Sequence, residues 1–216
     1  MTLIIATRNR HKVGEIRAVL GDPHRYLTLA DFPAAPAVVE DGATFADNAR
    51  KKATEIATWL GQPGVDCPAD PVWVLADDSG LEVDALDGAP GVHSARFAAG
   101  EAGVEGNAPD VANNARLLRL LARVPAAQRT ARFRCVIALA RVSATATDDV
   151  TLHEGSCEGR ILEESRGTAG FGYDPLFQPD GYPHTFAELG ESVKNGISHR
   201  ARALAALAAS GTLRTS

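Results

Sequence analysis

Four short stretches of the chain carry residue types able to do chemistry together. The first is Thr7-Arg8-Asn9-Arg10-His11-Lys12, set between an apolar segment and a helical one. A helix start offers unpaired backbone N–H groups and a partial positive charge, so hydroxyl, amide and ammonium groups there can hold a phosphate. Neither G-x-x-x-x-G-K-[ST] nor G-x-G-x-x-G is present, and the same residues also suit an ordinary polar helix cap.

The second stretch is Ala76-Asp77-Asp78-Ser79-Gly80, expected at the end of an apolar strand. Neighbouring carboxylates are costly to keep together without a cation, and hard oxygen ligands there suit Mg²⁺ bound with substrate phosphates. One carboxylate can face the metal and water. The other, on the opposite side of the strand, can make a structural hydrogen bond. A tight Asp-Ser-Gly turn without metal is the alternative.

Third, Glu40 precedes a helix that contains Lys52. The carboxylate can serve as a further metal ligand and the ammonium can reach a phosphate, although either type of side chain is ordinarily a solvated charge. Fourth come Phe171-Gly172-Tyr173-Asp174 and Lys194-x-x-x-Ser198-His199-Arg200. An aromatic face can stack on a base, a carboxylate can accept from a purine N–H, and Lys or Arg can donate to a carbonyl oxygen. Such a set prefers a 6-keto purine to adenine, whose amino group would meet the same donors. The competing reading makes Phe171 and Tyr173 core aromatics and His199 and Arg200 first-turn surface residues.

Composition narrows the field. The 216 residues are 45% hydrophobic and 23% charged, which describes one globular chain with a substantial core. A net charge of −5 argues against a nucleic-acid partner, because such binding neutralises many phosphates with basic residues. No apolar run approaches the roughly 18 to 20 residues of a membrane helix, and Leu3-Ile4-Ile5-Ala6 is too short for a signal-peptide core. The expectation is a cytoplasmic protein with no membrane partner. Cys67, Cys135 and Cys157 form no C-x-x-C pair and read as buried thiols. Only four of the 22 basic residues are lysine: Lys12, Lys51, Lys52 and Lys194. In a chain so biased to arginine, a retained lysine is expected where a compact point charge is needed.

The elements that must position these residues follow from periodicity. Thr2 to Ala6 reads as a buried strand and His11 to Leu20 as a helix stopped by Gly21. Tyr26 to Leu29 reads as a strand, Thr44 to Leu60 as a helix, and Gly61 to Pro71 as a surface loop. Val72 to Ala76 is expected as a strand ending abruptly at Asp77. A loop through Ala108 then leads to a helix ending near Val124. Thr130 to Val142 and Val150 to Ile161 suggest an antiparallel pair joined by a polar Ser/Thr/Asp turn. Residues 160 to 172 are expected to be irregular, Asp174 to Gln178 a short strand, and Ser198 to Ser210 a final helix capped by Ser198. Such an order points to an α/β or α+β sheet with flanking helices.

Taken in order, these motifs resemble the inosine/xanthosine triphosphate pyrophosphatase family. The similarity runs through Ala6-Thr7-x-Asn9-x-x-Lys12, Glu40-x-Gly42-x-Thr44-Phe45-x-x-Asn48-Ala49-x-x-Lys52-Ala53 and Ala76-Asp77-Asp78-Ser79-Gly80-Leu81. It continues with Gly88-Ala89-Pro90-Gly91-Val92-x-Ser94-Ala95-Arg96, Ala131-Arg132-Phe133-x-Cys135, Gly170-Phe171-Gly172-Tyr173-Asp174-Pro175 and Ile197-Ser198-His199-Arg200. Each motif alone is weak; seven in register are specific.

The resemblance implies an α/β fold with a long central mixed sheet flanked by helices. One domain over residues 1–216 would have two lobes enclosing a nucleotide cleft, in a homodimer that uses Mg²⁺. It implies hydrolysis of ITP, dITP and XTP to the monophosphate and pyrophosphate. Carried over by position, Thr7, Asn9, Lys12 and Lys52 resemble triphosphate contacts, with Arg8, Arg10 and His11 in the same loop. Asp78 resembles the metal-binding carboxylate and proton acceptor, Glu40 a carboxylate beside the metal, and Ser79 a substrate contact. Phe171, Gly172, Tyr173, Asp174, Lys194, His199 and Arg200 resemble the base-recognition set. Arg8 and Arg10 depart from the smaller residues usual in that loop. The nearest alternatives are a pyrophosphatase for modified pyrimidine triphosphates and a non-catalytic nucleotide-binding module.

Overall fold

The computed structural model describes all residues except 23, 70, 146–148 and 214–216. The strands are β1 (Thr2–Ile5), β2 (Arg25–Thr28), β3 (Val72–Val83), β4 (Thr130–Arg141), β5 (Val150–Ile161) and β6 (Phe177–Pro179). The helices are α1 (Arg10–Leu20), α2 (Phe45–Leu60), α3 (Ala99–Ala102), α4 (Asp110–Leu120), α5 (Phe186–Ile197) and α6 (His199–Ala209). Hydrogen-bonded neighbours run in the order β2-β1-β3-β4-β5-β6. β1 is parallel to both β2 and β3, pairing Ile5 with Thr28 and with Leu75, whereas β5 and β6 are antiparallel. The sheet is therefore mixed, and the chain is α/β.

The chain divides into two compact units. Unit 1 holds residues 1–78, 135–155 and 200–216; unit 2 holds 79–134 and 156–199. β3, β4 and β5 each contribute residues to both. The burial of β4 changes along its length accordingly. In unit 2, Ala131 and Phe133 are buried while Arg132 and Arg134 are half-buried, the alternation of a strand with one covered face. From Cys135 to Ala140 every residue is buried, as expected of a strand covered on both faces.

In unit 1, Leu3, Ile5, Leu75, Cys135, Ile137 and Leu139 pack against Ile16 of α1 and Ala203, Leu204 and Leu207 of α6. In unit 2, Leu81, Val83, Phe133, Cys157 and Ile161 pack with Leu117 of α4, Phe177 of β6 and Phe186 of α5. Each fully buried Leu, Ile or Phe contributes roughly 1.5–3 kcal/mol, so these clusters hold the strands that carry the polar residues.

Three expectations need correction. β3 does not end at Ala76; it continues unbroken through Asp77, Asp78, Ser79 and Gly80 to Val83. Asp and Ser favour turns when solvated, but here their side chains have partners inside the protein, so strand pairing wins. The residues between Phe177 and Ile197 include a helix that the periodicity does not reveal: α5 contains Gly190 with φ +76°, which breaks the helical repeat. Its start is nevertheless written in the chain as a capping box, with Thr185 accepting from the Glu188 N–H and Glu188 accepting from the Thr185 N–H. The loop after Leu86 also holds a 3₁₀ stretch at Gly91–Arg96 and the short α3. The Ser/Thr/Asp turn expected between β4 and β5 includes residues 146–148, which lie outside the described residues.

Candidate functional site

Unit 1 gathers the first and third stretches and, of the second, Ala76 to Asp78. Asn9 caps α1, its Oδ1 accepting from the His11 and Lys12 backbone N–H groups at 2.9 and 3.3 Å. Thr7 Oγ1 accepts from the Asn9 N–H at 3.1 Å, which tightens the turn out of β1. Arg8 is exposed and donates to the Ala35 carbonyl, and Arg10 and His11 are exposed at the start of α1.

The cap aims Lys12 at β3. Its ammonium pairs with the Asp77 carboxylate and donates to the Asp77 backbone carbonyl at 3.4 Å. Lys52, on α2, donates to the same carbonyl at 3.2 Å and pairs with Glu40 Oε1 at 2.8 Å. Two ammonium groups thus converge on one backbone oxygen beside Asp78. This is a cationic cradle built from two helices and a strand, and its cations are lysines.

Asp77 and Asp78 are consecutive strand residues, so their side chains take opposite faces. Asp77 turns to the face of α1 and α6, where Arg200 binds both its oxygens, Nε to Oδ2 at 2.8 Å and Nη2 to Oδ1 at 3.3 Å. Arg200 also pairs with the buried Glu15, and the Cys135 thiol donates to Asp77 Oδ2 at 3.1 Å. Burial opposes the charge of Asp77, but Arg200 and Lys12 outweigh it and hold its carboxyl well below the usual carboxylate range. Burial beside this carboxylate pushes the Cys135 thiol up, so it stays protonated.

Asp78 takes the face of α2. The side chain of Asn48 on α2, 1% exposed with its Oδ1 accepting from the Gly42 N–H at 2.8 Å, favours the charged form of this carboxyl. Burial pushes the Asp78 carboxyl up to about 6; Lys12 and Lys52 oppose the rise and Glu40 adds to it. Glu40 and Asp78 are hard oxygen donors, and a cation between them would relieve both the burial cost and their repulsion. The donor set fits a hard divalent ion. Among the described residues no group of three or more His, Cys, Asp or Glu gathers as metal ligands. Two protein carboxylates with phosphate oxygens and water completing the shell is the usual way Mg²⁺ is held.

Unit 2 holds the aromatic set. Lys194 Nζ donates to Asp174 Oδ2 at 2.6 Å, and the Phe171 N–H donates to the same oxygen at 2.9 Å. The ammonium lies 4.6 Å from the centre of the Phe171 ring. Lys194 and Asp174 are both buried, an ion pair presented beside a half-buried aromatic face. The Gly172 peptide is gripped from α4: Asp110 accepts from its N–H at 2.7 Å and Asn114 donates to its carbonyl at 3.1 Å. Tyr173 belongs to the core, its hydroxyl donating to the Ser94 carbonyl at 2.9 Å; burial raises its pKa. His199 is buried and stacks on Phe133, ring centres 4.8 Å apart and 13° between planes.

Arg200 lies in unit 1 on Asp77 and Glu15, at 1% exposure. Ser79 follows Asp78 in β3, half-buried, as the first residue of unit 2. Sequence reasoning assigned no role to Asn48, Glu15 or Cys135. The signal for Asn48 was present: it precedes Lys52 by one helical turn, so both share a face of α2. Glu15 and Cys135 gave no local sign.

The Ham1 family model matches residues 3–210. A dITP/XTP pyrophosphatase of Desulforamulus reducens is 51% identical over 94% of this chain and 92% of its own length. One of Geobacter sulfurreducens is 50% identical over 95% and 94%. Among solved structures, a HAM1 protein from Coxiella burnetii superposes with a TM-score of 0.81 at 34% identity, covering 99% of this chain and all of its own. A nucleoside-triphosphatase / dITP/XTP pyrophosphatase from Mycobacterium abscessus gives 0.69 at 40%, covering 96% and 98%.

Proposed function

The chain belongs to the Ham1 family, and from that premise we propose that it is a nucleoside triphosphate pyrophosphatase acting on non-standard purine nucleotides. It hydrolyses dITP, XTP and ITP to the monophosphate and pyrophosphate, removing deaminated purines from the nucleotide pool. The observation that carries the reading is the convergence of Lys12 and Lys52 on the Asp77 carbonyl, beside the buried Asp78 and with Glu40 on Lys52.

A water oxygen attacks the α-phosphorus, the bond from that phosphorus to the bridging oxygen breaks, and pyrophosphate leaves. Asp78 orients this water or takes its proton. Lys12 and Lys52 stabilise the charge that grows on the departing phosphates, with Thr7 and Asn9 of the first loop, beside Arg8, Arg10 and His11, supporting the chain of phosphates. Glu40 and Asp78 would hold Mg²⁺, which when bound neutralises phosphate charge and favours the leaving group. Asp77 stays ionised on Arg200 and keeps Lys12 in place.

Base recognition rests on Phe171, Gly172, Asp174 and Lys194, with Tyr173 and His199 supporting them from the core and Ser79 as a substrate contact. A carboxylate that accepts and an ammonium that donates favour a purine with a ring N–H and a 6-keto oxygen. The reading also includes a homodimer in the cytoplasm. Among the described residues no helix is long and apolar enough to cross a membrane, and the acidic chain speaks against nucleic acid as a partner.

Pyrophosphate release from dITP, XTP, dUTP and the four common triphosphates, with and without Mg²⁺, tests this. The expected result is Mg²⁺-dependent turnover of dITP and XTP far above dATP. A preference for pyrimidines or for the common purines would overturn it.

A further inference from the structure

Phe171 is bracketed by two glycines with left-handed backbones: φ is +78° at Gly170 and +62° at Gly172. A Cβ built on Gly172 would meet nothing within 4 Å, so no atom beyond its chain neighbours packs on that side of it. Glycine is the residue most free to change conformation, and a turn that ends in an unpacked one keeps that freedom unless its peptide groups are bound. They are bound, and by one helix. Asp110 accepts from the Gly172 N–H at 2.7 Å and Asn114 donates to the Gly172 carbonyl at 3.1 Å.

Asp110 and Asn114 stand one turn apart on α4 and so share a face. Turning the Asn114 amide over would set its oxygen against the Gly172 carbonyl, so only one orientation serves. The helix behind them is well anchored. Leu117 is wholly buried in the core of the unit, and Asn113, 2% exposed, accepts from the Ala98 N–H at 2.8 Å and donates to the Ala95 carbonyl at 3.2 Å. On its other side Phe171 is tied through its own N–H to Asp174 Oδ2 at 2.9 Å, and that oxygen also takes the Lys194 ammonium. We propose that Asp110 and Asn114 are positioning residues for base recognition: by clamping the Gly172 peptide to α4 they set the Phe171 ring and the Asp174–Lys194 pair in one fixed arrangement before a nucleobase arrives. A site arranged in advance needs no ordering when its ligand binds, which strengthens binding. This deepens the pyrophosphatase reading and rests on it.

Asp110→Ala removes the acceptor, and Asn114→Leu replaces the amide by a branched apolar group that cannot donate. Asp110→Asn removes the charge but keeps an oxygen that accepts. Asp110 also lies in the first turn of α4, where a negative charge favours the helix. Asn and Ala lose that effect alike, so only the clamp separates them. Asp110→Ala and Asn114→Leu are expected to raise KM for dITP about 5- to 10-fold, with kcat at saturation within about 2-fold of wild type, because binding and not the chemical step is affected. The ratio of kcat/KM for dITP to that for dATP should fall about 3-fold or more. Asp110→Asn should stay within about 2-fold of the wild-type KM, since its hydrogen bond survives. Exchange of the Gly172 amide hydrogen, followed by NMR without nucleotide, should quicken about 10-fold or more in Asp110→Ala.

Wild-type KM and selectivity in both Asp110→Ala and Asn114→Leu would overturn the role. So would an Asn variant as impaired as the Ala one, which would make Asp110 a helix charge only, and so would a drop in kcat at unchanged KM. Loss of helical circular dichroism in both Asp110→Ala and Asn114→Leu would make the clamp a folding device and overturn it equally. The pyrophosphatase reading is decided apart from this: wild type that turns over none of the nucleotide panel brings down the reading and the role together, whereas wild type that turns over dITP beside variants of unchanged KM brings down the role alone.

Discussion

Arg200 grips Asp77 through both carboxylate oxygens, although 123 positions separate the two in sequence. The pair is buried, and Asp77 in turn holds the Lys12 ammonium. Arg200 is thereby joined, through Asp77, to one of the two lysines proposed to contact phosphate.

Replacing Arg200 with methionine leaves Asp77 and Glu15 buried with Lys12 as the remaining cation among their partners described above. Breaking a buried pair in this way costs about 3–5 kcal/mol. The pH dependence has a definite sign. In the wild type Asp77 is depressed, so its contribution is complete above the ordinary value of 3.8 and is lost only as the solution is acidified below it. Without Arg200 burial outweighs the remaining cation at Asp77, so protonation of Asp77 relieves the variant as pH falls. Urea denaturation should show a gap between wild type and Arg200→Met that is widest near pH 7 and narrows toward pH 4. A gap independent of pH would refute the ion-pair account.

Asp78 makes the opposite case. Its carboxyl rises from 3.8 to about 6 because it is buried, so ionised Asp78 destabilises the metal-free fold at neutral pH. At about 1.4 kcal/mol per pH unit that penalty is on the order of 3 kcal/mol. Asp78→Asn removes it. The variant should lose kcat by orders of magnitude yet melt several degrees higher than wild type at pH 7 in chelator. The advantage should fade as pH falls from 6 to 4, where wild-type Asp78 takes up its proton. Near-normal turnover, or a lower melting temperature at pH 7, would contradict this.

How much of this was legible in the chain depends on the range of the interaction. Local devices are readable: the Thr7-to-Lys12 stretch as a polar helix cap and the long runs of β4 and β5 lie within a turn or a strand of what they control. The extension of β3 through Asp77 and Asp78 was not, because those residues read as turn formers until Arg200, Lys12 and Asn48 are known to meet them. The α5 helix was hidden by Gly190 and Gly196, though Thr185 and Glu188 spelled its cap. The neighbours His199 and Arg200 looked like one feature. One stacks on Phe133 and the other binds Asp77, a division that no local pattern encodes.

Lys194 bonds to Asp174 and lies against the Phe171 ring, a placement that suits its proposed role as donor to a 6-keto oxygen. Lys194→Met keeps the length of the side chain and removes the charge. The ratio of kcat/KM for dITP to that for dATP should fall by about 10-fold or more, since the donor that favours a keto oxygen over an amino group is gone. The ratio is measured by competing the two substrates in one assay. An unchanged ratio, whatever the loss of rate, would remove Lys194 from base selection.

Gly170 supplies the last test, because it joins backbone conformation to the same carboxylate. Its φ is +78°, in the left-handed region that side chains resist, and a Cβ there would overlap the Asp174 Oδ2 that binds both the Phe171 N–H and Lys194. Alanine at this position must therefore either strain the turn or push the carboxylate away, and strain of this kind costs on the order of 1–3 kcal/mol. Unit 1 contains none of these contacts, so Lys12, Lys52 and Asp78 keep their geometry. Gly170→Ala should consequently raise KM for dITP about 10-fold while kcat at saturation changes little, and the concentration of Mg²⁺ giving half-maximal rate should stay at its wild-type value. A variant that instead loses kcat at unchanged KM would mean that the Phe171–Asp174 turn governs the chemical step and not the grip on the base.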